Sequence, residues 1–409
     1  MNQTTIEWCQ ASWNPATGCG DDVVSAGCRN CYARRLSRRL AGRAGYPAAD
    51  APGGGSFAVT RRPDRLGEPV GWTKPTRVFV CSMGDLFHAE IPFEYIAAVY
   101  GAMCVTPRHT FCVLTKRPWR RKVFKEWVQE NKRGYCHGEG GLTGNCYGEQ
   151  VGINGPEMAE WNRRHKAAVR HYWPQIPDPA ETIGDACLSP PWPLPNVWEG
   201  VTVENQAAAD ERIPLVLETP AAMRFVSVEP MLGAVDLTAW LPRTLTVEQR
   251  NDLYDATRSS PPDGYGLAVQ QAENLPALDW VIAGGETGPG ARPVHPDWLR
   301  ALRDQCIEAG VPFFFKHWGE WAPHNVTDSA PWAWGHGRYA DWRGDDYPEH
   351  ARGWHFAKFR GGMTCCARLG RKQTGRFVDG RTWDGAPLVP DAGGLVTESA
   401  EGAKVQNDG

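Results

Sequence analysis

No run of about 18 consecutive apolar residues occurs anywhere in the chain, so nothing in the sequence reads as a membrane-spanning helix. The opening residues, MNQTTIEWCQ, carry neither the basic start nor the apolar core of a secretory leader. A disulfide framework is missing as well: the 13 cysteines are odd in number and unevenly spread through 409 residues, a pattern that favours thiols and metal ligands. A cytoplasmic protein that keeps away from membranes is the expectation. Net charge is nearly absent, at -3, so overall electrostatics select no partner. What is plentiful is core-forming material, 42% hydrophobic residues of which many are aromatic, enough for one large α/β domain or two ordinary ones.

The charge that exists is patchy. Residues 29 to 43 hold six arginines and no acid, residues 116 to 133 hold eight basic residues against two acidic ones, and residues 351 to 383 hold eight against one. Each island is either a solvated helix face or a contact for an anionic partner such as nucleic acid.

Short β-branched runs recur, each ending in polar or glycine residues: RVFVCSMGD (77 to 85), TFCVLTKRP (110 to 118), VWEGVTVEN (197 to 205), RFVSVEPML (224 to 232), DWVIAGGETG (279 to 288) and VPFFFKHWGE (311 to 320). They read as buried parallel strands. Helical patterns follow at 92 to 104, 118 to 130, 205 to 217 and 296 to 309, and a first strand is expected near residues 5 to 9. Repeated β-loop-α order predicts a parallel barrel or an open α/β sheet spanning residues 1 to 320. Two insertions interrupt it, about 134 to 195 and 238 to 277; a Trp-rich basic extension covers 321 to 385, and 386 to 409 is expected to be a disordered tail. Cys81, Cys104, Cys112 and Cys306 sit in apolar segments and are expected in the core.

Polar residues gather at the C-terminal ends of the strands: Ser82 and Asp85, Thr115 with Lys116 and Arg117, Thr202 with Glu204 and Asn205, Ser227 with Glu229, Glu286, and Lys316. In a parallel barrel those ends share one mouth, where active sites are built. After the first strand comes TGCGDDVVSAGCRNCYARR, residues 17 to 35, which offers three thiols from one loop at Cys19, Cys28 and Cys31. Three thiolates leave one position of a metal or of a four-iron cluster open to substrate or cofactor; unligated surface thiols are the alternative. The first insertion adds Cys136, His137, Cys146, His165, His171 and Cys187, whose spacings match no firm zinc pattern. In the extension, Trp332, Trp334, Trp342, Trp354, Phe356 and Phe359 lie among or before Lys358, Arg360, Arg368, Arg371 and Lys372, a mixture suited to stacking on bases or to capping the barrel.

Taken in order, GCRNCYARR, VFVCSMGDLFH, VLTKRP, VWEGVTVENQ, FVSVEPMLG, DWVIAGGETGPGARP, PFFFKHWGE and the closing LGRKQTGRFVDGRTWDG resemble a phage-borne three-cysteine-motif family of unassigned function, which is similar to radical S-adenosylmethionine enzymes and distantly to spore photoproduct lyase. The resemblance implies a partial (β/α)6-type barrel in which Cys19, Cys28 and Cys31 hold a 4Fe-4S cluster. It further implies S-adenosylmethionine as cofactor, its cleavage to a 5'-deoxyadenosyl radical, and an external electron donor. Carried over by position, Thr202, Glu204, Asn205, Ser227 and Glu229 are candidates for ribose and carboxylate contacts; Gly284, Gly285 and Glu286 form a turn the cofactor can approach closely. Arg292 and Lys316 are candidates for pairing with a carboxylate or phosphate, Ser82 or Asp85 for the amine, and Thr115 and Lys116 complete the cofactor set. Glu229, Lys316 and Asp85 are the catalytic candidates. Here the gap between the first two cysteines is eight residues, where the usual radical-enzyme pattern has three, and the aromatic, Tyr32, follows the third cysteine.

The expected activity is radical chemistry at a nucleobase or nucleotide of phage nucleic acid, in the bacterial host cytoplasm, with a partner protein as a further expectation. Against it stand a noncatalytic iron-sulfur or zinc protein that binds nucleic acid, and a metal-independent barrel hydrolase using Glu204, Glu229 and Asp85 as acid and base.

Overall fold

The computed structural model describes residues 4–133, 193–242, 251–252, 254–255, 275–323, 354–359 and 362–387. Strands are β1 (Ala11–Trp13), β2 (Ala16–Thr17), β3 (Thr60–Arg61), β4 (Arg77–Val80), β5 (Thr110–Thr115), β6 (Val197–Val203), β7 (Met223–Val228), β8 (Trp280–Ala283), β9 (Phe313–Phe315), β10 (Trp321–Pro323), β11 (Trp354–Phe359) and β12 (Gly362–Arg368). The main helices are α1 (Tyr32–Leu40), α2 (Phe93–Cys104), α3 (Pro118–Arg133), α4 (Gln206–Leu217) and α5 (Pro296–Glu308).

Seven strands pair in parallel in the order β1-β4-β5-β6-β7-β8-β9 and curl into a half-barrel. The expected strands and helices lie within a few residues of where the periodicity puts them, with one correction. Residues 5 to 9 are not a strand. The Cys9 amide bonds back to the Ile6 carbonyl at 3.3 Å, closing a turn, and pairing with β4 begins only at Gln10. The reason is Trp8, which leaves the strand path to fill the concave face, its ring 4.7 Å from that of Phe79 and 6.0 Å from that of Trp280.

Alternation along the strands sorts the core into two faces. Val78, Val80, Phe111, Val113, Val201, Val203, Val226, Val228, Val281 and Ala283 point outward to apolar residues of the helices. Inward, Phe79, Cys112, Trp198, Phe225, Trp280, Ile282 and Phe314 meet Trp8 in an aromatic floor. Gly200 is needed there, because a Cβ on it would stand 2.3 Å from the Phe225 ring. Cys81, Cys112 and Cys306 are buried as expected, and Cys104 packs half-buried against the core.

Beyond the barrel, β10, β12 and β11 form a small antiparallel sheet. The chain then returns: Phe315 donates to the Trp383 carbonyl at 2.8 Å, Gly385 to the Phe313 carbonyl at 3.0 Å, and the Trp280 indole to the Gly385 carbonyl at 2.8 Å. The closing motif thus covers the free edge of β9, which would otherwise expose unpaired backbone groups. Residues 134–192, most of 238–277, Trp332, Trp334, Trp342 and the 388–409 tail lie outside the described residues, and so do Cys136, His137, Cys146, His165, His171 and Cys187. Among the described residues no helix is long and apolar enough to cross a membrane.

Candidate functional site

The cysteine loop starts at Gly18, whose amide bonds to the Met83 carbonyl at 2.8 Å and whose φ of +83° favours glycine. A Cβ there would lie 2.2 Å from the Ala58 carbonyl oxygen. Cys28 sits in a short 3-10 turn (Ala26–Asn30), and Cys31 is the N-cap residue of α1. The helix leaves the mouth tied by Arg35 to the Thr287 carbonyl at 2.9 Å and by the Tyr32 hydroxyl to the Ser82 carbonyl at 2.5 Å.

Three charged struts hold this loop on the strand ends. In the first, buried Asp85 after β4 accepts from Thr115 Oγ1 at 2.7 Å, the Lys116 amide at 3.1 Å and Arg117 Nη1 at 3.0 Å. The same guanidinium donates to Asp22 of the loop at 3.1 Å, and His88 Nε2 lies 2.9 Å from that carboxylate. Despite some desolvation, these hydrogen bonds hold Asp22 below the usual carboxylate range. In the second, Ser25 Oγ donates to buried Glu204 at 2.6 Å and accepts from Lys116 Nζ at 3.0 Å; Lys116 also pairs with Glu204, which Arg212 reaches from α4 at 3.2 Å. Gly27 lets the loop lie this close, since a Cβ would stand 2.8 Å from Glu204 Oε1. In the third, Arg292 grips both oxygens of buried Glu286, at 2.8 and 2.5 Å, and donates to the Ala26 carbonyl at 2.9 Å.

Several candidates from the sequence therefore already have protein partners. Asp85, Glu204, Glu286, Arg292, Lys116 and Thr115 brace the loop. Asn205 caps α4 by accepting from the Ala208 amide at 3.0 Å. Ser82 shares hydrogen bonds with Ser12 and Asn14 beneath the loop. Gly284 and Gly285 act by lacking side chains: a Cβ would lie 2.4 Å from Glu229 Oε1 at the first and 1.9 Å from the Trp318 carbonyl oxygen at the second.

Between loop and floor lies a cavity of about 550 Å³, within the range of about 300–1,000 Å³ that encloses small ligands. Cys19, Cys28, Cys31, Tyr32, Ser82, Asp85, Thr115, Lys116, Thr202, Ser227, Glu229, Gly285, Glu286 and Lys316 all line it; Glu204, Asn205, Gly284 and Arg292 stand behind the wall. Glu229 and Lys316 form a half-buried pair at 3.2 Å, with Ser227 Oγ donating to Glu229 Oε2 at 3.2 Å. Sequence reasoning missed His317, which also lines the cavity. Its buried Nδ1 has no hydrogen-bond partner among the described residues, and burial, aided by Lys316, Arg371 and Arg376, pushes its pKa down to about 2, so the ring is neutral. Asp22 and Ser25 were missed too, although both stand inside the loop whose cysteines drew attention.

The three thiols open into one cavity, but among the described residues no three Cys, His, Asp or Glu side chains are gathered closely enough to hold a metal ion. Burial pushes the Cys19 thiol up, with Asp85, Cys31 and Cys28 adding to the shift against Arg117, so three like groups share one neighbourhood. All three are free of disulfides. In donor type and number they match a three-thiolate site. An adjacent cation is what would allow such thiols to ionise.

Fold and site together define an α/β protein of the parallel-barrel kind, with a thiol-bearing loop clamped over a ligand-sized cavity at the strand ends. The chain belongs to the family described as protein of unknown function (DUF5131), whose model matches residues 3–387. No curated protein and no solved structure matches it.

Proposed function

We propose that this protein is a radical S-adenosylmethionine enzyme. The observation that carries the reading is the cavity itself: three thiols of one braced loop and the Glu229–Lys316 pair of the strand ends line the same space. Cys19, Cys28 and Cys31 would hold a 4Fe-4S cluster, which, with an external electron donor, would supply one-electron reductive chemistry toward S-adenosylmethionine.

The protein's own groups have separable tasks. Cys31 is set at the N-terminus of α1 and Cys28 in the turn before it, so both thiols are placed by regular backbone. Glu229 and Lys316 offer opposite charges at the spacing of an ion pair, a match for the ammonium and carboxylate of an amino-acid moiety. Thr202 and Ser227 add hydroxyls for a ribose. The aromatic floor keeps water out from below, so a reactive carbon centre would meet only the substrate C–H bond held against it.

The test is anaerobic reconstitution of the full chain. Four irons per chain, absorbance of the cluster, and formation of 5'-deoxyadenosine with dithionite and S-adenosylmethionine are the expected results. Cys28→Ala and Cys31→Ala should each abolish all three. Iron bound without cleavage would favour the noncatalytic iron-sulfur reading. Full activity of both variants would return the site to the hydrolase reading.

A further inference from the structure

The three cationic islands of the sequence are used differently. In residues 116 to 133, Lys116 pairs with Glu204, Arg117 with Asp85 and Asp22, Lys122 with Glu218, and Arg121 and Lys125 with buried Glu199, while Arg120 donates to the His88, Ala89 and Ile91 carbonyls. In the third island, Arg368 binds the Gly288 and Pro289 carbonyls, Arg371 pairs with Glu7, Arg376 with Asp384, and Arg381 lies over the Trp383 ring. Those cations hold the fold together. Lys372 of the third island is exposed and makes no ion pair among the described residues, and the island at 29 to 43 holds four arginines of that kind. Arg34 and Arg35 bond the Gly20 and Thr287 carbonyls, but Arg29, Arg38, Arg39 and Arg43 are exposed and make no ion pair among the described residues.

Beside these arginines the mouth has an apolar rim. Val23, Val24, Tyr32 and Leu36 are each 40% exposed or more, and the last three also line the cavity. Helical spacing puts Tyr32, Leu36 and Arg39 on one side of α1, since positions three, four and seven apart share a face. Arg34 and Arg38 fall on the other side, where they line a second depression with Gly54, Gly55, Asp21 and Asp50. The two acids make that depression mixed in charge, so the cations free for phosphates lie along the helix crest and the mouth side. Exposed apolar groups between unpaired arginines and a ligand-sized cavity suit a flat base flanked by a phosphate chain.

We propose that α1 and the adjoining rim are the docking surface for a single-stranded nucleic acid, one base of which passes over Tyr32 and Leu36 into the cavity. Docking stands on the arginines and the rim; entry of a base as substrate rests on the radical-enzyme reading above. DNA and RNA share the phosphate and base chemistry used here, so both are tested.

The experiment is fluorescence anisotropy with a labelled oligonucleotide of about 12 nucleotides, within the site sizes of single-strand grooves, on the metal-free full chain. Wild-type protein is expected to bind at 50 mM salt. The double variant Arg29→Ala/Arg39→Ala is expected to lose about tenfold in affinity and to lower the salt slope by about 1.4, which is 0.7 for each phosphate no longer neutralised. Leu36→Ala is expected to lose about threefold with the slope unchanged. Lys122→Ala, on the outer face, is the control and should bind as wild type. No binding by the wild type, an unchanged double variant, or preference for duplex over single strand would each overturn the proposal. Because the assay needs neither iron nor cofactor, binding without 5'-deoxyadenosine formation would sink the radical reading alone; cofactor cleavage without oligonucleotide binding would sink this one alone.

Discussion

The same strands build two unlike regions of the half-barrel, and two to four residues of chain separate them. Along β7 and beyond, the inward positions run Phe225, Ser227, Glu229; along β6 they run Trp198, Gly200, Thr202, Glu204; along β9, Phe314 is followed by Lys316. Each strand thus changes from ring to hydroxyl or charge within one or two inward steps of about 7 Å each. The lower layer packs rings on rings, with the Arg77 guanidinium over Trp198 and Trp280 and that of Arg376 over Phe314. The upper layer spends most of its charges on holding a loop. The lesson is that the floor carries stability and the mouth carries position, which is the usual division between the two ends of a parallel barrel.

The largest expected effect attacks that division from below. Trp280 touches Trp8, Trp198, Phe225 and Phe314, with centroid separations of 6.0, 5.9, 5.8 and 6.4 Å. Trp280→Ala should cost about 3–5 kcal/mol in urea unfolding, the range for losing a buried aromatic. Next comes the opposite test. Glu229→Gln keeps the side chain's shape and removes a charge at the cavity wall, so stability should fall by no more than about 1 kcal/mol while affinity for S-adenosylmethionine falls about tenfold to a hundredfold, as for a hydrogen bond to a charged group. Equal damage to stability from both variants would mean that floor and mouth are one structural unit.

Much of this layout was legible in the sequence. Strand and helix positions followed from period and length, and the clustering of polar residues after each strand located the mouth. What could not be read was pairing. Nothing in the order of residues says that Arg117 spans Asp85 and Asp22, or that Arg292 reaches the Ala26 carbonyl 266 positions away. Strand-end carboxylates therefore looked like free ligands for a cofactor when several are braces. Trp8 was misread for a related reason: a β-favouring residue beside a strand is indistinguishable by pattern from one that turns inward to seal it.

His317 sharpens the comparison because it lies in the mouth yet is buried like a floor residue. Its folded pKa, about 2, is far below its unfolded value, so well above pH 6.5 both states are neutral and the site contributes no pH dependence. As pH falls below 6.5 the unfolded chain takes up a proton that the folded chain refuses, and stability is lost. Between pH 7 and 5 the loss should be about 2 kcal/mol from this residue. His109, also held low by burial, acts in the same direction. The slope of unfolding free energy against pH should be shallower in His317→Asn; an unchanged slope would mean that the ring is solvated and belongs with the open part of the mouth.

Ser25 offers the smallest and most selective perturbation. Its hydroxyl bridges the loop to Glu204 and Lys116, yet Glu204 keeps both Lys116 and Arg212 when the hydroxyl is gone, so no buried carboxylate is left unpaired. Ser25→Ala should therefore cost about 1 kcal/mol, the net worth of an ordinary hydrogen bond. Its real effect should be on the loop. With one of three struts loosened, Cys28 is freer to move, and reconstituted iron should be lost to a chelator faster than from wild type, with Ser25→Thr restoring retention. If iron retention is unchanged while stability drops by more than 2 kcal/mol on the scale of a core defect, the struts serve the fold and not the thiols. The upper layer would then be a second floor, and the thiols would owe their common wall to backbone turns alone.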